Sequence, residues 1–226
     1  MDKGISTSNE KPVIAVLGGT GKEGPGLALR WAHAGYRVLI GSRQLEKAQA
    51  TAVELNNLLG IDTIQGYENG QAAHQADICV LTVVQSAHQA ALEGLKQALQ
   101  GKILVDATAR VDFRDPKPPD PPSAARVAQT ILGEQVRVVA AFQNVPSHTL
   151  KQDLDGPIAT DVLVCADDIV AAQQVIQLAN DGGMRAYYAG GLDIANVVEG
   201  LTALLISVNK YYRIKSASIH LTGISE

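Results

Sequence analysis

In "PVIAVLGGTGKEGPGLALRWA", residues 12–32, a short apolar run enters a glycine-rich turn and continues with helical spacing. The run "PVIAVLGG" is typical of a buried parallel strand. After the turn Leu27, Trp31 and Ala34 recur at helical spacing, and "YRVLIGS", residues 36–42, has the pattern of a second strand. Strand, helix and strand therefore form one β-α-β unit with parallel strands.

The alternation of strands and helices continues along the chain. Further strands are predicted in "IDTIQGY" (61–67), "DICVLTVV" (77–84), "GKILVDAT" (101–108), "VRVVAAF" (136–142), "IATDVLVCA" (158–166) and "MRAYYAG" (184–190). Helices are predicted over about 45–58, 87–99 and 123–132, from about 167, and at the end of the chain, with an exposed proline-rich connector at 115–122. This pattern predicts an α/β protein with a doubly wound, mostly parallel sheet and a smaller C-terminal α/β portion that ends in a long apolar helix.

The final helix is apolar nearly all round. Its predicted apolar stripe consists of Ile194, Val197, Val198, Leu201, Leu204, Leu205 and Val208. Such a helix must be buried on more than one side, so we predict a homodimer in which a second subunit covers it. Polar residues such as Asp193 and Glu199 interrupt the region, so we do not expect it to span a membrane.

The net charge and the cysteine content limit the classes of function that this protein can have. A formal net charge of -4 provides no basic field for nucleic acid. Cys79 and Cys165 lie in apolar runs without metal-ligand spacing, so we expect reduced core residues, as in a cytoplasmic protein. Residues 1–11 are polar, lack the apolar core of a signal peptide and are predicted to be a disordered tail.

The glycine motif indicates a dinucleotide site. "GTGKEG", Gly19 to Gly24, matches GxGxxG directly after a strand and before a helix. In such a site Gly19 permits the tight turn, Gly21 lets the backbone approach the pyrophosphate, and Gly24 lets helix and strand pack closely. The helix N-terminus offers free N–H groups to phosphate. We therefore predict an NAD(P)-binding Rossmann domain over 12–155, followed by a C-terminal portion over 156–226.

The end of the second strand favours NADP over NAD. Many NAD-binding proteins place an acid there to hold the ribose 2′-hydroxyl, whereas this chain has Gly41, Ser42 and Arg43. A hydroxyl and a guanidinium suit a 2′-phosphate, and Lys47, one helical turn beyond Arg43, adds a second cation. The alternative is that both cations belong only to a solvated helix start, where a positive charge is unfavourable without an anion.

Five stretches together resemble a known family, that of the NADPH-dependent coenzyme F-420 reductases. They are "VLGGTGKEGPGLALRWA" (16–32), "GSRQLEKA" (41–48), "AAFQNVP" (140–146), "DVLVCADD" (161–168) and "VVEGLTALLISVNKYY" (197–212). The resemblance covers about 12–223. It implies hydride transfer between NADP(H) and the 8-hydroxy-5-deazaflavin coenzyme F-420, with deazaflavin-site and dimer-interface elements in the C-terminal portion.

The resemblance also implies site residues. Those that correspond to the family's cofactor-binding residues are Thr20, Gly21, Lys22 and Glu23 in the phosphate turn, Ser42, Arg43 and Lys47 at the 2′-phosphate, and Thr82, Val83, Val84 and Gln85 along the nicotinamide ribose. The loop between nicotinamide and deazaflavin corresponds to Gln143, Asn144, Val145, Pro146 and Ser147. Ala107 and Thr108 follow the fifth strand, whose carboxyl end faces the ligand crevice in such folds, so we expect them to border the deazaflavin. Family members often have a proline and an aromatic residue where this chain has Val84 and Gln85, and some have His-Thr in place of Gln143 and Asn144.

Hydride transfer between stacked rings needs alignment and no acid or base acting on carbon, so we predict neither a catalytic side chain nor a metal site. The N–H groups of Val145 and Ser147 are candidate donors to charge on the reduced ring. We expect His148 at the surface, Asp106 as a loop cap and Glu199 as an interfacial hydrogen-bonding group. Two alternatives stay open: an NADPH-dependent reductase of FMN, FAD or a ferric chelate, and a non-catalytic NADP-sensing protein that binds a partner through its final helix.

Overall fold

The computed structural model describes residues 11–224, so residues 1–10 of the predicted tail lie outside the described part. The described chain forms one sheet of eight strands: β1 (Ile14–Leu17), β2 (Val38–Ser42), β3 (Gln65–Glu68), β4 (Ile78–Leu81), β5 (Ile103–Asp106), β6 (Arg137–Ala140), β7 (Asp161–Ala166) and β8 (Arg185–Gly190). Their order in the sheet is β3-β2-β1-β4-β5-β6-β7-β8. The first six positions have the order of a doubly wound dinucleotide-binding fold.

Helices cover both faces of the sheet. They are α1 (Gly24–His33), α2 (Leu45–Leu59), α3 (Asn69–Gln75), α4 (Gln85–Leu95), α5 (Ala124–Leu132), α6 (Ile169–Asp181) and α7 (Ala195–Tyr212), with a 3-10 turn at Leu192–Ile194. Alternate strand residues point to opposite faces, so Val16 and Ile40 belong to one buried cluster, and Leu17 and Leu39 to the other. This arrangement confirms the predicted α/β fold.

Strand direction determines where ligands can bind. Strands β1 to β6 pair in parallel, so their carboxyl ends meet at one edge of the sheet. Strand β7 then pairs with β6 in the antiparallel direction, and Ala140 lies opposite Cys165. The amino end of β7 therefore reaches the same edge, which the sequence pattern did not predict. Both predicted parts of the chain contribute strands to this sheet, and the boundary between them stays a prediction.

Three elements differ from the sequence prediction. Strand β3 begins at Gln65, four residues later than predicted, and it is an edge strand of partly exposed residues. Helix α3 was not predicted, because its seven residues, "NGQAAHQ", are too few for a clear helical period. Helix α4 begins at Gln85 and ends at Leu95, slightly before the predicted bounds. Cys79 and Cys165 are free and buried, as expected of core residues.

The predicted apolar stripe of the final helix is buried at some positions and exposed to solvent at others. Val198 and Leu205 are buried, whereas Val197 is 57% and Leu204 55% exposed. The region Leu192–Tyr212, with 21 residues and a mean hydropathy of 1.4, is long and apolar enough to cross a membrane by length and composition alone, and 33% of its apolar window is buried. Its interpretation as a helix of the protein surface and core, and not a membrane span, stays a prediction.

Candidate functional site

The glycine turn between β1 and α1 depends on one left-handed residue and on two close approaches of the backbone. Gly18 has the left-handed φ of +71°, so the turn requires Gly18 in addition to the predicted Gly19. A Cβ on Gly19 would lie 2.6 Å from the Val16 carbonyl oxygen, and one on Gly24 would lie 2.6 Å from the Gly19 Cα. Only glycine fits these positions, and the contact at Gly24 agrees with its predicted role in close packing.

Helix α1 begins directly after this turn. Pro25 lies in its first turn, where a missing N–H costs little. Glu23 occupies the N-cap without capping the helix, and its buried Oε1 has no hydrogen-bond partner among residues 11–224. Burial raises the pKa of the Glu23 carboxyl to about 8. The group is therefore largely neutral at pH 7 and adds little repulsion to an anion at the helix N-terminus.

The end of β2 presents a hydroxyl and two cations. Ser42 ends the strand, and its Oγ accepts the N–H of Gln44 at 3.2 Å, which leaves its own hydroxyl hydrogen to donate. Arg43 and Lys47 are exposed, and neither side chain is paired with another residue in the described part of the chain. Two unneutralised cations beside a helix start favour an anion there.

Asn69, a residue that the sequence did not single out, explains why position 41 is a glycine and not an acidic residue. A Cβ at Gly41 would lie 2.8 Å from Oδ1 of Asn69, the first residue of α3. That same Oδ1 accepts the N–H of Gly18 at 3.0 Å. Asn69 thus supports the glycine turn and occupies the space of a side chain at position 41. The signal in sequence was the Asn69-Gly70 pair directly after the third strand, at the start of α3.

The segment after β4 lies against the glycine turn. A Cβ on Gly18 would come within 2.7 Å of Val83 Cγ1. The N–H of Thr82 donates to the Leu17 carbonyl at 2.9 Å, and its hydroxyl donates to the same oxygen at 3.2 Å. Val84 follows as the N-cap of α4 and is 70% exposed. The structure therefore brings Thr82 and Val83 beside the turn and leaves Val84 open to a ligand.

The loops after β5 and β6 meet at Asp106. Its Oδ1 accepts the N–H of Thr108 at 3.0 Å, which confirms the predicted loop cap. Its backbone carbonyl accepts the side-chain N–H of Gln143 at 2.9 Å. Asp106 is fully buried, and its Oδ2 lies 2.7 Å from His88 Nε2, a contact that the sequence did not reveal because α4 and β5 are separate elements.

Three buried polar atoms in the loops after β5 and β6 lack partners among the described residues. They are Thr108 Oγ1, Gln143 Oε1 and Asn144 Oδ1. An unsatisfied buried polar atom costs about 1–3 kcal/mol, so three in neighbouring loops indicate a polar ligand that completes them. A deazaflavin or nicotinamide ring carries both N–H and carbonyl groups and fits this donor and acceptor set. The residues present therefore suit such a ring.

The structure also tests the roles that the sequence predicted for Val145, His148 and Glu199. The N–H of Val145 donates to the Phe142 carbonyl at 2.9 Å, so its predicted availability to a reduced ring was wrong. His148 is exposed, as expected. Glu199 is fully buried within one chain, where its Oε2 accepts from Arg110 Nε at 2.9 Å. The predicted interfacial role of Glu199 was therefore wrong.

The predicted residues thus share one edge but form two groups. Ser42 ends β2 and Arg43 and Lys47 follow it, on the far side of β1 from the loops after β4, β5 and β6. An extended dinucleotide can span this distance through the glycine turn. A groove of about 800 Å³ that includes Tyr36, Asp77 and Arg137 lies at the amino ends of the strands and contains none of the predicted site residues.

Comparison with known proteins agrees with this geometry. Residues 13–110 match the family model for coenzyme F420-dependent NADP oxidoreductases. The chain is 40% identical over 223 residues to the F420-dependent NADP reductase of Methanothermobacter marburgensis, with 94% of this chain and 99% of that protein covered. The chain belongs to the F420-dependent NADP reductase family. The resemblance found in the sequence is therefore confirmed.

Two further comparisons extend this result. The F420-dependent NADP reductase of Methanocaldococcus jannaschii is 41% identical over 223 residues, with 93% of this chain and 98% of that protein covered. A solved structure from Arthrobacter sp. FB24, described as a candidate F420-dependent NADP reductase, superposes with a TM-score of 0.78 at 23% identity, over 94% of this chain and 100% of that chain. The reductase family and its fold therefore extend over nearly the whole chain.

Proposed function

We propose that this chain transfers a hydride between NADP(H) and coenzyme F-420. The observation that carries the proposal is the pairing, at one edge of the sheet, of unneutralised cations after β2 with unsatisfied buried polar atoms after β5 and β6. The first group suits a phosphorylated ribose and the second a polar ring. The names of relatives that are 40% and 41% identical support the same pair of coenzymes.

The amino-terminal half of the edge would hold NADP. In this proposal the turn residues Gly19, Thr20, Gly21, Lys22, Glu23 and Gly24 bind the pyrophosphate, Ser42, Arg43 and Lys47 bind the 2′-phosphate, and Thr82, Val83, Val84 and Gln85 border the nicotinamide ribose. The free N–H groups of α1 stabilise the phosphates. A largely neutral Glu23 adds little charge to oppose them.

The loops after β5 and β6 would hold the deazaflavin. In this proposal its surroundings are Ala107, Thr108, Gln143, Asn144, Val145, Pro146 and Ser147. Thr108 Oγ1 can donate or accept, whereas Gln143 Oε1 and Asn144 Oδ1 only accept. Asn144 Nδ2 is already fixed by donation to the Asp161 carbonyl at 2.8 Å, so its oxygen is held in one direction. That fixed direction would orient the ring.

The coenzymes supply the chemistry, a hydride exchanged between C4 of nicotinamide and C5 of deazaflavin. The protein's contribution is alignment, since efficient transfer requires the two carbons about 3–3.5 Å apart. Exclusion of water protects the transfer from side reactions. In this proposal the loops at the strand ends would supply this alignment without a catalytic acid or base.

We also infer a cytoplasmic homodimer that forms through α7. The exposed side chains of Ile194, Val197 and Leu204, with half-buried Leu201 and Val208, follow a spacing of three and four residues along one face. This is the spacing of the seam between paired helices. The division at residue 155 would then separate a nucleotide-binding part from a part that contributes the interface.

Stopped-flow mixing of NADPH-loaded protein with coenzyme F-420 tests the proposal. The expected result is simultaneous loss of NADPH absorbance and of oxidised deazaflavin absorbance in equal amounts. Faster reduction of FMN, FAD or a ferric chelate than of coenzyme F-420 would replace it with the flavin or metal reductase alternative. Tight NADPH binding without turnover on any of these acceptors would favour the non-catalytic sensor.

A further inference from the structure

The buried pair of His88 and Asp106 lies beneath the predicted ring site and has no role in the binding described so far. His88 is 5% exposed and Asp106 is fully buried, and His88 Nε2 lies 2.7 Å from Asp106 Oδ2. A buried carboxylate loses its hydration and needs a donor in return. His88 supplies that donor from α4, three residues beyond Gln85.

Asp106 connects every segment predicted to surround the rings. His88 ties it to α4, which continues directly from residues 82–85. Its Oδ1 holds the N–H of Thr108, and its carbonyl holds the side chain of Gln143. One residue therefore contacts the helix behind the predicted nicotinamide segment and both loops of the predicted deazaflavin site.

The loop after Asp106 is held at its other end as well. Arg110 donates from Nε to Glu199 Oε2 at 2.9 Å and from Nη2 to the Asp120 carbonyl at 3.0 Å. Residues 107–109 thus run between two anchored positions, one on α4 and one on α7. Loss of the contact between His88 and Asp106 would free the end of this loop that carries Thr108.

We propose that His88 is a positioning residue that fixes Asp106 and, through it, sets the separation of the nicotinamide and deazaflavin rings. The proposal rests on the proposed function. A misplacement of about 1 Å can slow a reaction by roughly a hundredfold. NADPH affinity depends mainly on the phosphate contacts elsewhere, so the expected defect lies in the hydride step and not in binding.

Three variants distinguish an effect of the position of Asp106 from an effect of its charge. His88→Leu removes the donor and fills much of the space, while His88→Gln keeps a side-chain N–H that can reach Asp106. Asp106→Asn keeps an oxygen to cap Thr108 but removes the negative charge. The matched control is Tyr36→Phe, which removes a 2.7 Å hydrogen bond to Asp181 near the opposite edge of the sheet.

The measurements are single-turnover hydride transfer with NADPH and coenzyme F-420, the NADPH dissociation constant, and hydrogen exchange of residues 106–110 and 142–147 in protein without coenzymes. For His88→Leu we expect transfer about 10–100-fold slower, NADPH affinity within roughly twofold, and faster exchange in both loops. His88→Gln should restore most of the rate and protection. Tyr36→Phe should match the wild type in all three measurements.

Several results would overturn the proposal. They are transfer by His88→Leu within about twofold of the wild type, unchanged exchange in both loops, or no recovery by His88→Gln. If His88→Leu does not fold, His88→Ala takes its place, because it also removes the donor to Asp106, and the same three results are expected of it. If the wild type itself transfers no hydride to coenzyme F-420, the proposed function fails, whereas the exchange data still decide whether His88 holds the loops.

Discussion

At the scale of single residues, Arg43 offers the sharpest test of coenzyme choice. It follows β2 with no partner in the described chain, whereas Arg37 precedes the same strand and pairs with Gln65 at 3.2 Å. Each hydrogen bond to a charged group contributes about 1.5–3 kcal/mol, so Arg43→Asp should weaken NADPH binding by on the order of a hundredfold. Fluorescence titration should show NADH binding unchanged and Arg37→Asp like the wild type. Equal losses for both coenzymes would contradict the 2′-phosphate assignment.

Glu23 provides a second prediction at this scale, on stability. Its pKa is raised from an ordinary value of 4.5 to about 8 by burial, so the folded protein holds a proton that the unfolded chain releases. Stability should therefore fall as pH rises from about 5 to 8, by at most about 1.4 kcal/mol per pH unit from this group. Glu23→Gln should remove that contribution. Urea unfolding at several pH values would show a flatter curve for Glu23→Gln, and parallel curves would refute the prediction.

At the scale of elements, apolar runs predicted the buried strands well, because a strand that is covered on both faces has few polar residues. Edge strand β3 and the short helix α3 lack such a signal, and their bounds were missed. Direction was missed too, since the pattern of β7 is the same in either orientation. Contacts such as His88 with Asp106 depend on how two elements meet, so no local motif predicts them.

The junction between α7 and α5 gives a prediction at the same scale. Glu199 accepts the N–H of Ala124, at the start of α5, and pairs with Arg110. Burial raises the pKa of Glu199, and these two donors partly oppose that shift. Glu199→Ala should reduce the free energy of unfolding by about 3–5 kcal/mol, because it leaves Arg110 and a helix N–H without their acceptor.

Urea denaturation of Glu199→Ala measures that loss, with Glu199→Gln as the milder variant that keeps an acceptor oxygen. The double variant Arg110→Leu with Glu199→Leu should lose less than Glu199→Ala alone, because neither charge is then left unpaired. A loss below about 1 kcal/mol for Glu199→Ala would mean that the pair adds little to the packing of α7.

At the scale of the whole molecule, the antiparallel step at β7 explains how the C-terminal part reaches the site. It brings Asp161 to the edge where the loop after β6 lies, and Asp161 accepts from Asn144 through its carbonyl. Its carboxylate accepts the N–H of Leu221, beyond α7. The chain after the final helix is thus anchored beside the predicted deazaflavin loop, which links that loop to the predicted dimer interface.

We predict that two copies of the whole molecule associate through α7. Val197 and Leu204 are 57% and 55% exposed and lie seven residues apart, on the outer face of α7. Burial of such side chains is worth roughly 1.5–3 kcal/mol each, so a charge in their place should disfavour association strongly. We expect Val197→Glu to convert a dimer into a monomer of 23.8 kDa.

Sedimentation equilibrium across a range of concentrations measures that mass. Val53 provides a matched control, since it is 58% exposed on α2, away from α7. Val53→Glu should leave a species of twice the chain mass, while Val197→Glu should not. A wild-type protein that is monomeric throughout, or a Val197→Glu variant that stays dimeric, would contradict the interface, and the exposed seam of α7 would then need a different partner.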